Sequence, residues 1–137
     1  MRTERMPDPA DLMPGAADAL DALEAAVAAA GVDGRLLALS RLRASQINGC
    51  GADHLPAVAA WRETPGYSDE ERAALALAEA VTRIADQADP VPDRIWDVAA
   101  THFDHRELAA LLLAVALTNA TDRLNTSIRR QAGNQRG

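Results

Sequence analysis

An all-α fold, a compact bundle of about six helices, is what this sequence predicts, from three observations. Of its 137 residues 48% are apolar but only 3% aromatic, so the core must be built from Leu, Val, Ile and much Ala, the best helix former. Apolar positions recur at spacings of three and four, as on one face of a helix. Capping signals precede the apolar runs. The length suits one domain with its own core. That domain is expected over 13–130, between a loose lead-in at 1–12 and a loose tail at 131–137.

The first helix is expected from Pro14 to Ala30, with Leu20, Leu23 and Val27 on one face. Pro14 suits its first turn and Gly31 the position just past its end. Asp33 caps a second helix carrying Leu36, Leu37, Leu39, Leu42 and Ile47, with Arg35, Arg41 and Arg43 turned away from the Leu39 and Leu42 face. Asn48-Gly49 stops it, a pair that favours turns, and Cys50 follows at once. A short third helix is expected from Leu55 to Arg62, with Asp53 as its cap. Ser68-Asp-Glu-Glu71 matches a capping box and opens a fourth helix through Ala74, Leu77, Val81 and Ile84, ended by Asp89-Pro-Val-Pro92. Pro92 opens a fifth, with Ile95, Trp96, Val98 and Ala99 inward. Asp104-His-Arg-Glu107 starts the last, which runs through Leu111, Val115 and Leu124 to Ile128. Its uncharged middle, Ala109 to Leu117, marks either a buried central helix or a subunit contact.

A net charge of −6 argues against nucleic acid or an anionic membrane surface as partner. The arginines near the end, Arg129, Arg130 and Arg136, make the tail locally basic without changing that reading. No apolar run approaches the length of a membrane span, and Met1-Arg-Thr-Glu-Arg-Met-Pro lacks the apolar stretch of a signal peptide, so the expected compartment is the cytoplasm. The chain has 1 cysteine, so it forms no intrachain disulfide and runs no dithiol cycle within one subunit.

That cysteine, Cys50, is the candidate catalytic residue. Placed before a helix start it would have a lowered pKa and a reactive thiolate; the plainer reading is a small buried apolar residue. His54 pairs with Cys50 as imidazolium and thiolate, or is a solvated residue of a short helix. His102 and His105 straddle a helix start and read as exposed junction residues more readily than as zinc ligands, so no metal and no cofactor are expected. Glu63, Asp69, Glu70 and Glu71 complement a helix dipole. Asn119, Asp122, Arg123 and Asn125 interrupt the apolar last helix, where they join a polar network or line a cavity.

Leu39-Ser-Arg-Leu-Arg-Ala-Ser-Gln-Ile-Asn-Gly-Cys50 resembles the signature of the carboxymuconolactone decarboxylase superfamily in its alkylhydroperoxidase, AhpD-like branch. Trp61-Arg-Glu-Thr-Pro65 with Ser68 to Glu79, and Leu108 to Arg129 with Thr118-Asn-Ala and Arg123-Leu-Asn125, are similar to the same branch. The resemblance implies an oligomeric helical domain, a trimer or hexamer of identical chains. It also implies thiol-dependent, peroxiredoxin-type reduction of hydroperoxides by a Cys-x-x-Cys pair served by a Glu and a His. Of these only the first Cys is matched, by Cys50. Ala38 stands at the position of the relay Glu, Asp53 at the second Cys and Ala57 at the relay His. In relatives the stretch after the first Cys is longer by about sixteen residues, or four helical turns; here His54 to Trp61 resembles the tail of that stretch.

The expected function is therefore an AhpD-like antioxidant protein whose peroxidase activity is lost or reduced, with Cys50 dependent on an external thiol reductant. The alternative is a non-catalytic oligomerisation or binding subunit. Lactone decarboxylation, the chemistry of the family's other branch, would need a His/Glu site that the sequence does not reveal.

Overall fold

A computed structural model describes residues 3–50 and 56–130. They form α1 (Pro9–Leu12), α2 (Ala16–Ala29), α3 (Gly34–Ile47), α4 (Pro56–Ala59), α5 (Asp69–Thr82), α6 (Asp93–His102) and α7 (His105–Ile128), with a single 3-10 turn, Ile84–Asp86, and no strand among the described residues. The predicted all-α class holds. No described helix is long and apolar enough to cross a membrane.

Local signals set most of these boundaries. The Asp33 carboxylate accepts the Arg35 N–H and starts α3. Complete capping boxes open α5 and α7: Ser68 with Glu71, and Asp104 with Glu107, each satisfy two backbone N–H groups. Pro92, extended, precedes α6.

The long α7 is the axis of the bundle, in contact with α2, α3, α5 and α6, while α3 packs chiefly on α5 and α7. Ala44, Ala78 and Val115 meet where α3, α5 and α7 converge, and their small side chains let the three helices approach closely. Leu36, Leu77, Phe103, Leu108 and Leu111 fill the main core between α3, α5, α6 and α7. Leu39, Val58, Trp61 and Leu75 form a second cluster beneath α4.

The structure departs from the sequence reading in four places. The lead-in is packed: α1 is an additional helix, capped by Asp8, with Pro9 at its start and Ala10 buried. Arg5 N–H donates to the Ile128 carbonyl at 2.7 Å, and Arg130 reaches Asp8 at 2.8 Å, so both sides of the chain's lead-in are tied to the end of α7. The fourth expected helix stops at Thr82 and gives way to the 3-10 turn, ahead of the prolines. The third, described over Pro56–Ala59, ends before the expected Arg62, and Asp53, His54 and Leu55 lie outside the described residues. Val98, expected inward, is 53% exposed; it lies one residue before the fully buried Ala99 and so on a different face of α6. The tail at 131–137 also lies outside the described residues.

Candidate functional site

Cys50 sits at the end of a helix. Asn48 caps α3, Gly49 takes φ +73° and the Cys50 N–H turns back to the Ser45 carbonyl at 2.9 Å. The Gly49 N–H bonds the Gln46 carbonyl in the same reversal, which is the Schellman ending of a helix. Gly49 provides the left-handed residue that this ending requires. The thiol is thus at the negative end of the α3 dipole.

The surroundings of the sulfur come from α7. Cys50 Sγ lies 3.5 Å from Thr126 Oγ1 and 3.7 Å from the Asn48 carbonyl oxygen. One helical turn before Thr126 stands Asp122, 4% exposed. One oxygen of its carboxylate, Oδ2, accepts from Ser45 Oγ and from Asn48 Nδ2, each at 3.0 Å. Asn48 Nδ2 also donates to Asn119 Oδ1 at 2.8 Å, and Asn119 Nδ2 donates to the Val115 carbonyl at 3.1 Å and to Thr82 Oγ1 at 3.3 Å. The network links α3, α5 and α7, and among the described residues Asp122 meets no cation.

Burial pushes the Cys50 thiol above its ordinary pKa; the Thr126 hydroxyl opposes this, and the Asp122 carboxylate adds to it through charge and hydrogen bonding. The expectation of a thiolate stabilised by a helix start is therefore reversed. Burial, the end of α3 and a buried carboxylate together oppose the negative charge. Raising a thiol pKa lowers the thiolate fraction that attacks peroxides and disulfides.

The remaining candidates are dispersed. His54 and Asp53 lie outside the described residues. Ala38 and Ala57, at the relay positions, are exposed on α3 and α4. His102 is half-buried with its ring 6.3 Å from that of Phe103, and His105 is exposed. Among the described residues no group of three His, Cys, Asp or Glu could hold a metal. Glu63, Asp69 and Glu70 are exposed, while Glu71 completes the α5 cap and pairs with Arg35. Arg123 is exposed on α7. Of the polar residues in α7, Asn119 and Asp122 join the network, and Asn125 lines a cavity of about 330 Å³ with Asp8, Leu20 and Thr121.

Sequence reasoning missed a second polar centre. Glu79, inside the Ala-Leu run of α5, accepts from Arg43 Nε and Trp61 Nε1, each at 2.7 Å, and from Arg62 Nη1 at 2.9 Å. Burial pushes this carboxyl up, but the bonds from Arg43, Trp61 and Arg62 together hold it below the usual range. The available signal was a lone carboxylate among Leu75, Leu77, Ala78 and Val81.

No family model matches the chain. The chain is 39% identical over 77 residues to the uncharacterised protein YnjA of Escherichia coli K12, covering 56% of this chain and 41% of YnjA. It is 27% identical over 113 residues to the uncharacterised protein YdfG of Bacillus subtilis 168, covering 71% of this chain and 76% of YdfG. The match thus spans about two fifths of the length of YnjA and about three quarters of YdfG. In structure it is similar to ATU0492 from Agrobacterium tumefaciens, a protein of unknown function assigned provisionally to antioxidant defence as AhpD. That likeness has a TM-score of 0.82 and 31% identity, covering 94% of this chain and 97% of the other. Fold and site define an all-helical bundle with a thiol held between the end of one helix and the last turns of another. The chain belongs to the AhpD-like family.

Proposed function

We propose that this is an AhpD-like protein in which thiol-dependent hydroperoxide reduction is lost or strongly reduced. The observation that carries the reading is the setting of Cys50, at the negative end of α3 and beside a buried carboxylate, which disfavours the thiolate. A cycle on one thiol would run in two steps. The sulfur takes an oxygen as the peroxide O–O bond breaks, giving a sulfenic acid and an alcohol. Two external thiols then restore the cysteine, releasing water and their own disulfide. The first step needs the thiolate, and no second thiol of the same chain can resolve the second. The reading places the chain in the cytoplasm, with no cofactor, and leaves any turnover dependent on an external thiol reductant. The test is hydroperoxide consumption by the purified chain with a dithiol reductant. Turnover indistinguishable from that of Cys50→Ser is expected. Rapid consumption that the Cys50→Ser variant loses would overturn the proposal.

A second reading, a non-catalytic subunit of an oligomer, is favoured by the outer face of α7. Leu113 and Leu124 are 43% and 36% exposed, in line with exposed Ala109, Ala116 and Ala120. This small-residue stripe would bury well against a second copy. Light scattering is expected to give a mass of several chains, reduced in Leu113→Glu; a single-chain mass for the unaltered protein sinks this reading.

A further inference from the structure

A cavity remote from Cys50 lies between α5 and α6 under the segment that follows α4. It encloses about 360 Å³, within the range of small-molecule sites. Its lining combines two chemistries. Trp61, Ile95 and Val98 give the lining apolar surface and Arg62, Arg72 and Arg94 give it positive charge, with His102 and Asp69 also in the lining. This is a concentration of positive charge on a chain of net charge −6.

The three guanidinium groups are not equivalent. Arg62 lies over the Trp61 ring at 4.2 Å and bonds Glu79, so its charge is answered. Arg72 donates to the carbonyls of Tyr67, Trp61, Arg62 and Thr64, four bonds from five N–H groups, and has no carboxylate partner among the described residues. Those carbonyls fix the guanidinium in place without neutralising it. Arg94, exposed on α6, has no hydrogen-bond or ion-pair partner among the described residues. Trp61, held by its N–H on Glu79 at 2.7 Å, makes a rigid wall beside them. A second hollow of about 170 Å³ continues the groove past Arg94 and Ile95 toward Arg83.

The geometry points to a binding site for a small amphipathic carboxylate, its anionic head between Arg72 and Arg94 and its hydrocarbon along Trp61, Ile95 and Val98. Arg94 offers a planar guanidinium fork that matches a carboxylate in geometry and charge, and Arg72 adds its charge and one remaining N–H. The apolar wall discriminates against small inorganic anions, which have nothing to place there. The site needs neither Cys50 nor its chemistry.

The probe is octanoate, titrated into the full chain with octylammonium and 1-octanol as controls, while the Trp61 indole N–H is followed by NMR. A saturable shift at about millimolar octanoate is expected, as suits a ligand of ten heavy atoms. Arg94→Gln, a change at an exposed position, should weaken binding about tenfold. Val98→Asp should abolish it, and both variants should keep the far-ultraviolet helical spectrum. Neither control should compete. Equal binding of octylammonium, an unsaturated response to 10 mM octanoate, or wild-type affinity in Arg94→Gln each overturns the assignment. So does a fall in solution mass on Val98→Asp without ligand, which would make the groove a contact between copies of the chain.

Discussion

Two buried carboxylates on apolar helices, Glu79 on α5 and Asp122 on α7, are treated in opposite ways. Glu79 has two arginines and an indole, so its charge is neutralised and each donor bonds a charged acceptor. Asp122 has a hydroxyl and an amide, both neutral, and a thiol close by. Charge-neutral burial staples helices: Glu79 joins α5 to α3 through Arg43 and to the segment after α4 through Trp61 and Arg62. Charge left unneutralised is a poor staple, because desolvation opposes it, but it has a strong effect on a titratable neighbour. The first centre therefore serves the fold, and the second adds to the effect of burial in holding Cys50 protonated.

Breaking the first centre should have the largest consequence. Glu79→Ala strands Arg43, whose side chain is 15% exposed, and the Trp61 N–H together. A loss of about 3 kcal/mol in unfolding free energy is expected by denaturant titration. The pH dependence has a definite sign. Because the folded pKa of Glu79 is lowered from 4.5, its contribution is fully present above that value and disappears as pH falls through the folded pKa. Glu71, lowered by the backbone N–H of Ser68 despite some burial and helped by Arg35, adds to the same acid loss. The gap between wild type and Glu79→Ala should accordingly narrow as pH falls below 4.5 toward the folded pKa. A gap that stays constant into acid would mean that the ion pairs contribute nothing to stability.

The first centre also shows what the sequence withheld. The α5 and α7 starts were legible because a capping box is complete within four residues, and the Asp33 cap likewise. Glu79 was not, since its partners lie 36 and 18 residues away, brought in by tertiary packing of α3 and α4. Nor was α1, a four-residue helix held by a pairing of Asp8 with Arg130 across 122 residues. At Cys50 the turn was legible from Asn48-Gly49, but its electrical meaning was not. A turn between two helices exposes a residue to the end of one or the start of the other, and only the backbone path of Gly49 decides which. Asn119, Asp122 and Thr126 recur at helical spacing, as do Ser45 and Asn48; that these two faces meet is a property of the packed bundle.

The second centre is sharpened by Asp122→Asn. Both bonds to Asp122 end on Oδ2, so an amide whose oxygen takes that position keeps Ser45 and Asn48 satisfied while removing the charge. A nearby charge at an effective dielectric of about 20 is worth enough to change the thiolate population about fivefold to tenfold. Iodoacetamide should alkylate Cys50 faster by that factor at pH 7.5. An unchanged rate would show that burial, not Asp122, keeps the thiol protonated.

The smallest expected effect tests the same balance from its other side. Thr126 contributes the one interaction that favours the thiolate, its hydroxyl 3.5 Å from the sulfur. Thr126→Val keeps the shape and removes the donor, so alkylation should slow about twofold to threefold, the scale of one weak hydrogen bond. In the Asp122→Asn background the same substitution should cost the same factor if the two groups act independently on the sulfur, and a different one if they are coupled. Strict additivity of the two changes would separate Thr126 from Asp122 and reduce the site to two independent neighbours of a thiol. Coupling would make Asp122, Cys50 and Thr126 one electrostatic unit, held in place by the close packing of α3 on α7.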